Sequence, residues 1–223
     1  SVLILQQQLE YVLSHPQWLP YPQHAQAPLI TLVSVPPTDV CLYKTHANPF
    51  YGWDNEYGVH KVHVKAFAAS RYLVSNQEFL GFVEDDGYTQ PQLWSTEGQA
   101  WLEFSQAKHP TFWLASAQGW QLRLMTDVVT MPWNWPVEIN FHEAKAFCNW
   151  KSKITGEKVR LPSEDEWYAL YQNTHLSPEQ IQQYANLQLN LAAAICSVDH
   201  FIYGEFYDVQ GNVCQWTETP TNL

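Results

Sequence analysis

The chain begins with apolar side chains at helical spacing. Residues 2–13 place them on one stripe, which predicts a helix. The stripe is formed by Val2, Leu5, Leu9 and Val12. The helix should end near His15, because Pro16 disfavours helical geometry in the residue before it. Residues 16–37 then hold six prolines, which predict an extended connector with a domain boundary near residue 36.

From residue 37 onward, polar residues that favour helix N-termini precede several apolar stretches. Ser or Asn followed three positions later by Glu predicts a capping box, in which both side chains bond free backbone N–H groups. Three such pairs are Ser75 with Glu78, Asn140 with Glu143, and Ser163 with Glu166. Further helices are predicted over residues 97–106 and from Ser177, where Pro178 suits the first helical position.

Alternating polar and β-branched positions predict three strands among these helices. They are VHKVHVKAF (59–67), WQLRLMT (120–126) and VRLP (159–162). Strands and helices mix without the strand–helix–strand rhythm of a parallel sheet, so the predicted fold class is α+β. The folded domain is predicted to cover residues 37–223.

Composition narrows the choice of partners and compartment. The 223 residues carry a formal net charge of −11, which argues against nucleic-acid backbones and anionic membranes as partners. No apolar run approaches the 18 residues of a membrane span. The four cysteines have no CxxC spacing, which indicates reduced thiols in a cytoplasmic protein, with Cys148 packed inside a helix.

The sequence offers no motif for a metal site or a nucleophile. His60 and His63 lie three apart in the predicted strand, so they should point to opposite faces rather than bind one metal ion together. His142-Glu143 resembles the start of HExxH, but Ala146 stands where the second histidine would be. P-loop, GxSxG and GxGxxG patterns are absent. We therefore assign neither a catalytic residue nor a metal ligand.

Two aromatic-rich stretches suit either a rigid pocket wall or core packing under long loops. They are NPFYGWDNE (48–56) and MPWNWP (131–136). Composition alone does not choose between the two interpretations.

Four segments carry a resemblance when they are taken in order. They are GWDNE (52–56), VSNQEFLGFVEDDGY (74–88), residues 131–170 from MPWNWP to DEWYAL, and GEFYDVQGNVCQWTETP (204–220). Together they resemble the sulfatase-modifying-factor (formylglycine-generating-enzyme-like) domain of the EgtB and OvoA sulfoxide synthases. The sequence of these segments most resembles the OvoA type, the 5-histidylcysteine sulfoxide synthase of ovothiol biosynthesis. One departure is Cys214, which stands where the late family motif has its first tryptophan.

The resemblance implies a C-type-lectin-like fold for residues 37–223. It also implies an Fe(II)- and O₂-dependent reaction that joins L-cysteine to the imidazole of L-histidine and gives a sulfoxide. In the family the iron ligands lie in an N-terminal DinB-like helical bundle that ends in a His-x3-His-x-Glu helix. By that correspondence residues 1–15 are the last bundle helix, residues 16–36 are the connector, and the ligands precede Ser1. The isolated chain, without the rest of the bundle, is then expected to be inactive.

Transfer of individual residues gives only candidates for a substrate pocket. They are Trp53, Asn55, Trp133, Trp135, Tyr207 and Asn212, each of which could instead serve the core or a turn. Glu56 and Glu205 could pair with substrate ammonium groups or cap turns.

Three alternatives stay open. The first is an ergothioneine-type (EgtB) synthase domain, and the second is a copper-dependent formylglycine-generating enzyme. The third is a non-catalytic C-type-lectin-like binding module, for which calcium would need clustered carboxylates. Asp85-Asp86 is the single adjacent pair of aspartates, and it is predicted to be a solvated turn.

Overall fold

The computed structural model describes residues 26–45, 47, 52, 57–124, 127–177, 179–181, 185–187 and 195–220. The helix predicted over residues 2–13 lies outside these ranges, as do residues 16–25 of the predicted connector. No helix in the described ranges is long and apolar enough to cross a membrane.

Short strands form four small antiparallel sheets in these ranges. The strands are β1 (Leu32–Val35), β2 (Thr38–Lys44), β3 (Gly58–Val64), β4 (Phe67–Ser70), β5 (Trp113–Ser116), β6 (Gly119–Arg123), β7 (Val128–Thr130), β8 (Ile202–Tyr203) and β9 (Phe206–Tyr207). β1 pairs with β4, β2 with β3, and β8 with β9, while β6 lies between β5 and β7. β1 falls inside the segment predicted as a connector, where LVSV alternates between exposed and buried positions.

Four helices have the capped starts or the positions that the sequence predicts. They are α1 (Asn76–Glu84), α2 (Thr96–Ser105), α3 (Phe141–Thr155) and α4 (Glu164–Asn173). Full capping boxes open α3 and α4, and residues 179–181 are helical after Ser177, whose hydroxyl accepts from the backbone of Gln180. In α1 only the Ser75 half of the box forms, because Glu78 pairs with Lys151 at 2.9 Å.

Two predicted strands require correction. The segment predicted as one strand over residues 59–67 divides into β3 and β4, because β3 pairs with β2 whereas β4 pairs with β1. Residues 159–162 are not a strand. Their backbone bonds go elsewhere, since Val159 N–H donates to Ser152 Oγ and Pro162 O accepts from Glu218 N–H.

The helices and sheets enclose two aromatic-rich clusters that hold the functional segments in place. One joins α1 and α3, where Phe79 stacks on Phe147 with ring centroids 5.3 Å apart. The other joins the β5–β7 sheet to the 131–136 segment through Trp113 and Trp135. The mixed helices and small sheets confirm the predicted α+β class.

Candidate functional site

The 131–136 segment supports the start of α1. The first N–H groups of a helix lack intrahelical partners. Here Asn76 N–H donates to Trp135 O at 2.8 Å, and Gln77 N–H donates to Trp133 O at 2.9 Å. The Trp135 side chain is 2% exposed and lies in the core cluster. Trp133 is half-buried and meets Trp113 edge-on, with centroids 5.9 Å apart.

The buried side-chain amide of Asn76 also holds the 131–136 segment in place. Asn76 is 1% exposed, and its Nδ2 donates to Pro132 O at 2.9 Å. Its Oδ1 accepts from Trp113 Nε1 at 3.3 Å. Because a buried amide is costly unless it is hydrogen-bonded, these contacts define one position for the 131–136 segment. The structure therefore gives Trp133 and Trp135 packing contacts, and their predicted contact with substrate remains a prediction.

Asn212 acts as a clamp between three segments. Its Oδ1 accepts from Cys196 N–H at 2.8 Å, and its Nδ2 donates to Cys196 O at 3.1 Å. The side-chain amide thus pairs with a backbone peptide as a neighbouring strand would. Asn186 Nδ2 donates to the same Oδ1 at 3.2 Å. The residue sits at φ 59, a left-handed conformation that asparagine tolerates better than most residues.

Gly211 allows this clamp to close. Its φ is 82, and a Cβ at this position would lie 3.0 Å from Ala185 Cβ and 3.2 Å from the backbone of Asn186. Any side chain would therefore meet both backbone strain and a clash with a fixed main chain. The Gly-Asn pair of the sequence motif therefore has two structural roles. Gly211 lets the backbone approach Ala185 and Asn186 closely, and Asn212 then pairs with the backbone of Cys196.

Asp208 is a buried carboxyl beside the clamp that the sequence analysis did not select. The residue is fully buried, and its Oδ2 accepts from Asn212 Nδ2 at 3.2 Å. Burial raises the pKa of Asp208 to about 7, and nearby Asp199 adds to the rise, while the bond from Asn212 opposes it. Burial, reinforced by Asp208, likewise raises the pKa of the Cys196 thiol to about 12. The available sequence signal was an aspartate three positions before the Gly211-Asn212 pair.

Residues 195–199 connect the two motif-bearing segments. Asn134 Nδ2 donates to Ser197 Oγ at 2.8 Å, and Val198 N–H donates to Asn134 O at 2.9 Å. Ser197 Oγ in turn donates to Asp199. The 131–136 segment and the clamp at Asn212 are therefore held in one framework.

The remaining candidates separate from this framework or lie outside the described ranges. Tyr207, in β9, stacks on Tyr72 with ring centroids 4.7 Å apart. Glu205 Oε1 lies 3.8 Å from Arg71 Nη2. Trp53 and Asn55 lie outside the described residues, as does Glu56.

A cleft of about 460 Å³ opens beside the clamp. One wall is the start of α4, and the other is the 209–217 segment that carries the Gly-Asn pair. Its lining includes Glu164, Trp167, Tyr168, Gly211, Cys214 and Thr217. A second groove of about 430 Å³ runs between α3 and residues 158–160. In it Lys145 Nζ donates to both carboxylate oxygens of Glu218, at 2.9 and 2.8 Å.

The described residues do not fit an iron centre. Within them no three His, Cys, Asp or Glu side chains come close enough to share a metal ion. His60 bonds to Asp165 at 2.9 Å and His63 to Asp39 at 2.6 Å, so each forms a separate surface pair. Asp85, considered for calcium, accepts from Trp150 Nε1 at 2.9 Å. All four cysteines are free thiols, and Cys148 is buried as predicted.

Comparison with known proteins identifies the family. The model of the sulfatase-modifying factor enzyme 1-like domain matches residues 20–222. The hercynine oxygenase of Mycolicibacterium smegmatis is 34% identical over 115 residues, which cover 51% of this chain and 25% of the relative. The hercynine oxygenase of Mycolicibacterium thermoresistibile is 35% identical over 118 residues, 52% of this chain and 24% of the relative. The hercynine oxygenase of Mycobacterium tuberculosis is 34% identical over 115 residues, which cover 51% of this chain and 25% of the relative.

The matched part of the chain thus spans about a quarter of the length of these relatives. The family match covers all of the described residues, including the 131–136 segment, the clamp and the cleft beside it. The chain belongs to the sulfatase-modifying factor enzyme 1-like domain family, whose C-type-lectin-like fold it shares.

Proposed function

We propose that the chain is the sulfatase-modifying-factor-like domain of an ergothioneine-type sulfoxide synthase. The observation that carries the proposal is the 34–35% identity to three hercynine oxygenases across half of the chain. These relatives favour the ergothioneine-type alternative over the ovothiol type that the sequence wording suggested. On this proposal the substrates are hercynine, a thiol such as L-cysteine, and O₂, and the enzyme works in the cytoplasm.

The described residues are proposed to act as a scaffold that closes over the reaction site. Fe(II), when bound, supplies the activation of O₂. The family resemblance implies iron ligands outside these 223 residues, and the proposal adopts that assignment. The described residues hold no group of three possible ligands. The work of the chain itself is then to hold aromatic and amide side chains in fixed positions, through the contacts of Asn76 and Asn212. A fixed wall orients substrates and excludes water from the reaction.

The experiment is a product assay on the natural polypeptide that contains this chain. Purified polypeptide with Fe(II) and air is given hercynine or L-histidine in separate reactions, each with L-cysteine and with γ-glutamylcysteine as the thiol, and products are identified by mass spectrometry. A thioether sulfoxide of hercynine is the expected product. A sulfoxide formed with histidine alone would replace the proposal with the ovothiol type, and no sulfoxide with either would refute both.

The 223-residue chain alone provides a second readout. It should bind less than stoichiometric Fe(II) in anaerobic equilibrium dialysis, and hercynine should not strengthen that binding. Tight one-to-one binding that hercynine strengthens would contradict the proposal that the iron ligands lie outside these 223 residues.

A further inference from the structure

The cleft beside the clamp has a wall of fixed aromatic rings. Trp167 stacks on Tyr171 with ring centroids 5.8 Å apart and planes 11° from parallel. Tyr168 meets Trp167 edge-on at 5.1 Å. Because neighbouring rings hold Trp167 and Tyr168 in place, a ligand ring can pack against them with little loss of conformational entropy in these side chains.

The opposite wall keeps the cleft open. Gly211 contributes no side chain, and Cys214 contributes a small exposed one. The volume of about 460 Å³ falls within the range of about 300–1,000 Å³ typical of small-molecule sites. A larger side chain at position 214 would project from this wall and reduce the space.

Charge selects among the ligands that this shape admits. Glu164 supplies a carboxylate to the lining, and the described lining residues include no lysine, arginine or histidine. The first turn of α4 also carries Asp165 and Glu166, which offset the positive end of the helix dipole. Glu166 is paired with Arg160 at 2.6 Å, and Arg160 is not among the lining residues of the cleft. The formal net charge of −11 further favours cations over anions.

We propose that this cleft binds an aromatic cation, such as a protonated arylalkylamine. The ring system lies against Trp167 and Tyr168, and the positive charge faces Glu164. The rings of Trp167 and Tyr168 stand at 86° to each other, so a planar ligand ring that stacks on one of them meets the edge of the other. The inference goes beyond the proposed function and does not depend on it.

Thiol protection tests the site directly in the 223-residue chain. Iodoacetamide alkylation is followed by peptide mass spectrometry at Cys214, in the cleft, and at Cys41, an exposed cysteine on β2 that serves as the internal control. Three indole probes differ in charge: tryptamine (cation), tryptophol (neutral) and indole-3-propionate (anion). Tryptamine should slow alkylation of Cys214 and leave Cys41 unchanged, tryptophol should act more weakly, and indole-3-propionate weakest. No protection of Cys214 by tryptamine, or equal protection by all three probes, would overturn the proposal.

Matched variants distinguish ligand binding in the cleft from effects of the thiol or of protein unfolding. Ligand-observed NMR is used, since it needs no thiol, and urea unfolding checks that each variant is folded. Cys214→Ser should bind tryptamine as the parent does, whereas Cys214→Trp should fill the cleft and weaken binding about tenfold or more. Glu164→Gln should weaken tryptamine about 2–5-fold and leave tryptophol unchanged, because an exposed charge pair contributes modestly. Equal tryptamine binding by folded Cys214→Trp and Cys214→Ser would refute the site.

Discussion

Replacement of Asn212 by alanine tests whether this predicted pocket residue is a structural clamp. The side chain bonds both Cys196 N–H and Cys196 O, at 2.8 and 3.1 Å, and also contacts Asn186 and Asp208. Asn212→Ala removes all four contacts at once. It also places alanine at φ 59, in the left-handed region.

The expected loss follows from these contacts. A buried backbone group that loses its partner costs about 1–3 kcal/mol. Cys196 is half-buried, so water reaches part of it, and the lower half of that range applies to each of its two groups. Left-handed geometry adds about 1–2 kcal/mol for alanine. The sum is a loss of about 3–6 kcal/mol in the free energy of unfolding.

Two further variants separate the contributions in urea unfolding followed by tryptophan fluorescence. Asn212→Gly keeps the backbone geometry at no steric cost, so it should lose about 1–2 kcal/mol less than alanine does. Asp86→Ala, at φ 55 in an exposed turn, is the matched control and should lose only the strain, about 1–2 kcal/mol. A loss below about 1 kcal/mol for Asn212→Ala, with Asp86→Ala behaving as expected, would refute the clamp.

Three other substitutions have defined outcomes. The pKa of Asp208 rises from 3.8 to about 7 on folding, so the folded state holds this proton more tightly. The stabilisation of the folded state by this proton is fully present below about pH 4 and is lost as the pH rises to about 7. Asp208→Asn should flatten this decline in unfolding free energy, measured by urea titration from pH 4 to 8, by on the order of 2–4 kcal/mol; an unchanged pH profile would contradict it. Gly211→Ala should destabilise by more than about 2 kcal/mol, since its Cβ would lie 3.2 Å from the backbone of Asn186. Gly204→Ala, at φ 63 with no atom within 4 Å, should cost less in the same thermal or urea assay, and equal losses would rule out the clash. Tyr88→Phe removes the donor, at 2.6 Å, to a buried carboxylate at the start of α3 and should cost about 1–3 kcal/mol. Burial raises the pKa of Glu143 to about 7, so this acceptor is charged at pH 8 and neutral at pH 5. The loss should therefore be larger at pH 8 than at pH 5, because a hydrogen bond to a charged acceptor is stronger, and the reverse order would count against it.

Local signals predicted the elements that depend on local contacts. The Asn140–Glu143 capping box lies within four residues, and α3 begins where that box requires. Residues 159–162 failed as a strand because their backbone partners belong to α3 and to the segment after the clamp. Sequence alternation carries no information about such distant partners.

The same limit explains what was missed at the candidate site. Asn212 was selected by resemblance, but its partners lie 16 and 26 residues earlier in the chain. Its structural work was therefore invisible in the sequence. The burial of Asp208 likewise arises only when β8, β9 and the clamp come together. The cleft depends on α4 and the 209–217 segment, about 45 residues apart, meeting at one face.

The substrate preference of the natural polypeptide tests the functional proposal most directly. The measurement is kcat/KM for hercynine and for L-histidine, with Fe(II), O₂ and the thiol (L-cysteine or γ-glutamylcysteine) held constant and the sulfoxide quantified by mass spectrometry. The account predicts a kcat/KM at least about tenfold higher for hercynine, a difference of about 1.4 kcal/mol in transition-state binding. A preference for histidine, or no sulfoxide from either substrate, would contradict it.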